Sequence, residues 1–223
     1  MRKLFPGAIA GILLGMWLCG SSVSWAQTTR AQNSADVDLN ARLKETEANP
    51  RLLEAAYKTG AKVASFCGNC HGEGGNSPAP ETPNLAGQNT SYLLEQLRQF
   101  ADGRRKNLFM EGMIKALSAE EKVGVVLHYA SKEVVFKPPT NAALAAKGQE
   151  YFSKICFRCH GEEGRGNEKI ARIAGQQPGY LAITLKRYRD GSAVRNDPLM
   201  AANTKTMTEA DIAAVVAYVS SMK

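Results

Sequence analysis

The sequence is poor in imidazole and thiol. Its 223 residues hold three histidines and five cysteines, and both tryptophans, Trp17 and Trp25, fall within the first 26 positions. Any site that needs several histidines must therefore find another donor. Beyond those 26 residues no apolar run approaches the roughly 20 residues needed to cross a bilayer, which excludes a membrane span there. Strict alternation of apolar and polar residues is also missing, so a β architecture is excluded. What remains is an all-α reading with very few chemically active side chains.

The opening segment MRKLFPGAIAGILLGMWLCGSSVSWAQ has a basic start at Arg2 and Lys3 and an apolar stretch over residues 8–19. Ser24 and Ala26 stand at −3 and −1 of a cut before Gln27. Residues 1–26 read as a secretory signal peptide; Leu18 ahead of Cys19 is too bulky for a lipoprotein site. Removal takes away Arg2 and Lys3 and no acid, which lowers the formal charge from +7 to +5. It also leaves four cysteines, Cys67, Cys70, Cys156 and Cys159, every one in a C-x-x-C pair.

Comparison of the chain with itself shows a duplication. CGNCHGEGGNS returns as CFRCHGEEGRGN, NLAGQNTSYLLEQLRQFADG as RIAGQQPGYLAITLKRYRDG, and MEGMIKALSAEEKVGVVLHYAS as MAANTKTMTEADIAAVVAYVSS. The offset is 89 residues at the cysteines, 88 at Tyr92 and Tyr180, and 90 at Met110 and Met200. One domain is thus written twice, with only short loops altered. The expected division is a loose polar extension over 27–50 ending in a helix, a first domain over 51–135, a linker over 136–142 stiffened by Pro138 and Pro139, and a second domain over 143–223. Helices are expected over Ala61 to Phe66 and Ala143 to Lys154, leading into the cysteines, then over Tyr92 to Phe100 and Tyr180 to Tyr188. A last helix closes each copy, started by a capping box at Ser118 and Glu121 and a weaker one at Thr208 and Asp211.

A histidine follows each thiol pair at once, as His71 and His160. A disulfide framework leaves that histidine unexplained, the gap between the pairs is far too long for a zinc ribbon, and a thioredoxin-like site needs a βαβ setting. Covalent haem attachment fits: two thiols one helical turn apart reach the two vinyl groups, and the adjoining imidazole reaches the iron. The expected cofactors are two covalently bound haem c groups, on Cys67, Cys70 and His71 and on Cys156, Cys159 and His160. With two of three histidines used, methionine is the natural sixth ligand. Met110 and Met200 each lie eight residues before a helix cap, whereas Met113 aligns with Asn203 and Met207 with Leu117. The expected metal ligands are therefore His71, Met110, His160 and Met200, with Met113 and Met207 read as packing. His128 faces Tyr218 in the repeat and reads as a packing residue where first and last helices cross; its rival role, a distal ligand, would strand Met110.

From about Leu52 onward the chain resembles the dihaem cytochrome c4 family, on both C-x-x-C-H motifs, the NSPAPETPNLAGQ loop, the Y-L helix starts and the M-E-G-M…L-S segment. The resemblance implies two tandem class I cytochrome c domains related by pseudo-twofold symmetry, and His/Met ligation of both irons. It also implies that the carbonyl of Pro83 holds the ring of His71; the matching residue in the second copy, Ala171, lacks the proline ring. The expected function is a periplasmic electron carrier in a respiratory chain, not an enzyme. Its expected partners are redox proteins such as a membrane-bound oxidase or a quinol-oxidising complex, and no nucleic acid. The alternatives are an electron-transfer subunit of a flavocytochrome or thiosulfate-oxidising dehydrogenase, and a dihaem peroxidase. Arg104, Arg105 and Lys106, with Lys186, Arg187, Arg189 and Arg195, are expected either to ring exposed haem edges and steer docking or to form an ordinary solvated face.

Overall fold

A computed structural model describes residues 38–195 and 197–223, so the expected signal peptide and residues 27–37 lie outside the described residues. All regular structure in it is helical apart from one isolated bridge between Arg105 and Arg195. The first helix, α1 (Leu39–Ala48), is capped by the Asp38 carboxylate, which accepts from the backbone of Asn40 at 2.9 Å. It buries Leu39, Leu43 and Thr46, spaced along one face. Leu39 and Leu43 belong to the same core as Leu94, Val123, Val126 and Tyr129. The part of the 27–50 segment that is described is therefore packed rather than loose.

Asn49 caps the next helix through its side chain and Pro50 takes its first position, two start signals visible in the sequence. Helix α2 (Pro50–His71) begins eleven residues before the expected Ala61 and carries Cys67, Cys70 and His71 on its last turns. It is followed by α3 (Thr90–Ala101), α4 (Leu108–Ala116) and α5 (Ala119–Ala130). The second half repeats the series as α6 (Ala142–Phe152), the short α7 (Phe157–His160), α8 (Pro178–Arg189), α9 (Pro198–Thr204) and α10 (Glu209–Val219). Both capping boxes form in full, including that of Thr208 and Asp211.

In each half the first and last helices cross at a glycine. A Cβ on Gly60 would lie 2.0 Å from the carbonyl oxygen of Gly124, and one on Gly148 would lie 1.9 Å from that of Ala214. The bare backbone lets the helices touch, and two apolar cores build around the crossings: one on Val123, Val126, Leu94 and Tyr129, the other on Phe152, Ile212, Val215 and Val219. The connection between halves is pinned by Asn76, whose side chain donates to Glu133 O at 2.8 Å and accepts from Val135 N at 2.9 Å. Among the described residues no helix is long and apolar enough to cross a membrane.

Candidate functional site

The two thiol–histidine motifs fold alike. Cys67 and Cys70 are one turn apart at the end of α2, and Cys156 and Cys159 bracket the start of α7. All four thiols are free; in each pair the first packs against the neighbouring core and the second is exposed. Burial raises the pKa of Cys67 and pushes that of Cys156 up to about 11, so both stay protonated near neutral pH. The chain then turns at Gly72 and Gly161, with φ of 80° and 77°, a left-handed conformation that a side chain resists. That turn sends the loop back past the histidine.

The returning loop fixes each ring. His71 Nδ1 lies 2.9 Å from Pro83 O, and His160 Nδ1 lies 2.9 Å from Ala171 O. A carbonyl can only accept, so both Nδ1 atoms carry the proton and both Nε2 lone pairs are free for a metal. The exchange of proline for Ala171 leaves the bond at the same length. Burial lowers the pKa of both imidazoles, and the bonds to Pro83 and Ala171 partly offset it; the charge of Arg105 lowers His71 further, whereas Asp197 adds to the offset at His160. Neutral imidazole is the form a metal requires.

The methionines lie on separate short helices. Met110 and Met200 both take the third position of their helix, where the backbone N–H of Met110 donates to Asn107 Oδ1 and that of Met200 to Asp197 Oδ1, each at 3.0 Å. The repeat alignment thus has a structural counterpart in matched caps, and Asp197 is the same carboxylate that acts on His160. Met207 is buried within the second core, as expected of a packing residue, while Met113 is half-buried on α4. His128 sits at the helix crossing, its Cβ 3.0 Å from the place a Cβ on Gly60 would take. Tyr218 holds the matching place beside Gly148. The His128 ring meets Tyr129 edge to face at 5.2 Å.

Three of the basic residues are held in ion pairs. Arg104 pairs with Asp102 at 2.7 Å and Glu95 at 2.9 Å, Lys186 with Glu209 at 2.7 Å, and Arg189 with Asp190 and Glu209 at 2.8 Å. Arg105 and Arg195 turn inward and face each other across the two halves. Arg105 donates to Gln96 Oε1 at 2.7 Å and to the Tyr180 hydroxyl at 3.0 Å, and Arg195 donates to Tyr180 at 3.0 Å, to Gln96 at 3.1 Å and to the Tyr92 hydroxyl. Among the described residues neither has a carboxylate partner. Burial opposes ionisation of Tyr180, yet the charges of Arg105 and Arg195 outweigh it and lower its pKa. A cavity of about 450 Å³ opens beside it, lined by Gln99, Tyr188, Arg195 and Asp197 among others and by neither thiol pair. Sequence reasoning missed this seam, although Tyr92 and Tyr180, and Arg105 and Arg195, are matched pairs in the repeat.

Free thiol pairs, neutral imidazoles with an open Nε2, and a half-buried cationic seam fit a group that forms thioethers, takes a nitrogen ligand and carries carboxylates. A cytochrome c family model matches residues 145–223. The "Thiosulfate dehydrogenase electron acceptor" of Thiomonas intermedia is 37% identical over 180 residues, covering 74% of this chain and 82% of that protein. The cytochrome c4 of Pseudomonas aeruginosa is 32% identical over 175 residues, covering 73% and 87%. The crystal structure of reduced recombinant cytochrome c4 from Pseudomonas stutzeri superposes with a TM-score of 0.69 at 30% identity, over 75% of this chain and 98% of that one. Fold and donor set together define a dihaem c-type cytochrome with the class I fold, an electron carrier rather than an enzyme. Within that class, the chain belongs to the cytochrome c4 family, and its cofactors are two covalently bound haem c groups.

Proposed function

We propose that each half holds one haem through its own motif: Cys67, Cys70 and His71 in the first, Cys156, Cys159 and His160 in the second. Met110 and Met200 would supply the thioether ligands to the two irons. Residues 51–135 and 143–223 are then the two haem-carrying units, joined by 136–142, with α1 packed onto the first. The observation that carries this reading is the pair of 2.9 Å bonds that orient His71 and His160 and free their Nε2 atoms. Iron held by a histidine and a methionine would leave no site for substrate and would supply a one-electron couple raised in potential by the thioether. The protein's own share is to orient the imidazoles through Pro83 and Ala171, and to meet negative charge near the seam with Arg105 and Arg195.

The leader and the absence of a spanning helix among the described residues support a periplasmic carrier that passes electrons towards a membrane-bound oxidase or from a quinol-oxidising complex. The likeness to a thiosulfate dehydrogenase electron acceptor favours a second reading, in which the electrons come from a thiosulfate-oxidising enzyme. Stopped-flow mixing distinguishes them. The carrier reading expects the reduced protein to be reoxidised rapidly by a terminal oxidase, and the second adds rapid reduction of the oxidised protein by a thiosulfate dehydrogenase with thiosulfate. Failure of both transfers refutes the carrier role.

A further inference from the structure

The bond that orients each histidine ends on a peptide group whose N–H is bonded to a glutamine side chain of the opposite half. The Pro83 carbonyl faces His71, and the N–H of the same peptide, that of Asn84, donates to Gln176 Oε1 at 2.7 Å. The Ala171 carbonyl faces His160, and the N–H of that peptide, that of Arg172, donates to Gln88 Oε1 at 2.7 Å. Each glutamine completes a clamp by donating back: Gln176 Nε2 to Asn84 O at 3.0 Å, and Gln88 Nε2 to Arg172 O at 2.8 Å. Gln88 and Gln176 are 7% and 8% exposed, so these bonds are shielded from water. They are also equivalent residues of the repeat, both following Ala-Gly.

We infer that Gln176 and Gln88 are cross-half positioning residues that tune the ligand strength of His71 and His160 respectively, each through a single peptide group. This rests on the reading that those histidines bind iron. In a trans peptide the C=O and N–H point in opposite directions, so an acceptor on the N–H and a donor on the C=O polarise the group in the same sense. Gln176 Oε1 makes the Pro83 oxygen a stronger acceptor, the oxygen draws the Nδ1 proton of His71, and the imidazole becomes a more electron-rich ligand that favours oxidised iron. The two halves are thereby coupled: the packing of one sets the electronics of the other.

The test is the pair of variants Gln176→Met and Gln88→Met in the full holoprotein, with the midpoint of each haem followed separately by its shifted NMR signals, assigned through its attached cysteines. Loss of one polarising bond weakens the next by about 10–30%, so the redox ratio is expected to change by no more than about threefold. At about 59 mV per tenfold for one electron, threefold is about 28 mV. Gln176→Met is expected to raise the potential of the first haem and leave the second within error, although residue 176 lies in the second half; Gln88→Met does the converse. Equal shifts at both haems, a shift confined to the substituted half, or no shift overturns the inference. A missing haem or a lost histidine–methionine spectrum in the unsubstituted protein would overturn the ligand reading, a separate outcome.

Discussion

Replacement of Gly148 by alanine tests whether the close helix crossing holds the second half together. The added Cβ would stand 1.9 Å from Ala214 O and 2.8 Å from the Tyr218 Cβ, where ordinary contact begins near 3.4 Å. Both obstacles are backbone or backbone-proximal, so no rotamer change relieves them. Helices α6 and α10 must part by about 1.5 Å, which opens gaps beside Phe152, Ile212, Val215 and Val219. Overpacking of this kind costs about 3 kcal/mol at the upper end of its usual range, and alanine regains about 1 kcal/mol of helix propensity. The net loss is about 2 kcal/mol, or roughly 10 °C in Tm for a unit of this size. Gly112→Ala is the control: that glycine is helical with no heavy atom within 4 Å of its Cβ direction, so alanine there should stabilise by up to about 1 kcal/mol. Thermal unfolding of the oxidised holoprotein followed by far-ultraviolet circular dichroism reads both. A Gly148→Ala protein that melts at or above the wild type refutes the crossing as described.

Met110→Ala and Met200→Ala should each remove half of the methionine-to-iron charge-transfer band and lower the potential of one haem, whereas Met207→Ala leaves the band and costs about 2–5 kcal/mol of stability as a buried truncation. A band that survives the double Met110 and Met200 change contradicts the assignment. His128→Phe should leave both haems low-spin, since Tyr218 fills the matching place; a new high-spin signal would make His128 a ligand. Arg195→Leu should strip donors from Tyr92, Tyr180 and Gln96 and lower stability by about 1–3 kcal/mol. An unchanged melting temperature would reduce that seam to incidental contact.

What could be read from the sequence was whatever the repeat or a cap spelled out locally. The matched places of Met110 and Met200 and the two capping boxes follow from spacing within one copy or between aligned copies, and the carbonyls of Pro83 and Ala171 from the family resemblance. The burial of Leu39 and Leu43 was harder to see, because α1 has a polar composition and only its packing against α2, α3 and α5 reveals the apolar face. Arg105 and Arg195 resembled surface charge because their loops are basic; only the docking of one half on the other turns them inward. Gln88 and Gln176 escaped notice for the same reason. A signal existed: polar residues kept at equivalent places in both copies, outside the apolar helical pattern, mark the face where the copies meet.

The central claim is that each half carries one haem on its own cysteine pair, and mass spectrometry of the purified mature protein tests it most directly. The intact mass should exceed that of the polypeptide by two haems, and proteolysis should give one haem on the peptide containing Cys67 and Cys70 and one on that containing Cys156 and Cys159. A polypeptide of unmodified mass, a zinc adduct, or a single haem-bearing peptide would contradict it.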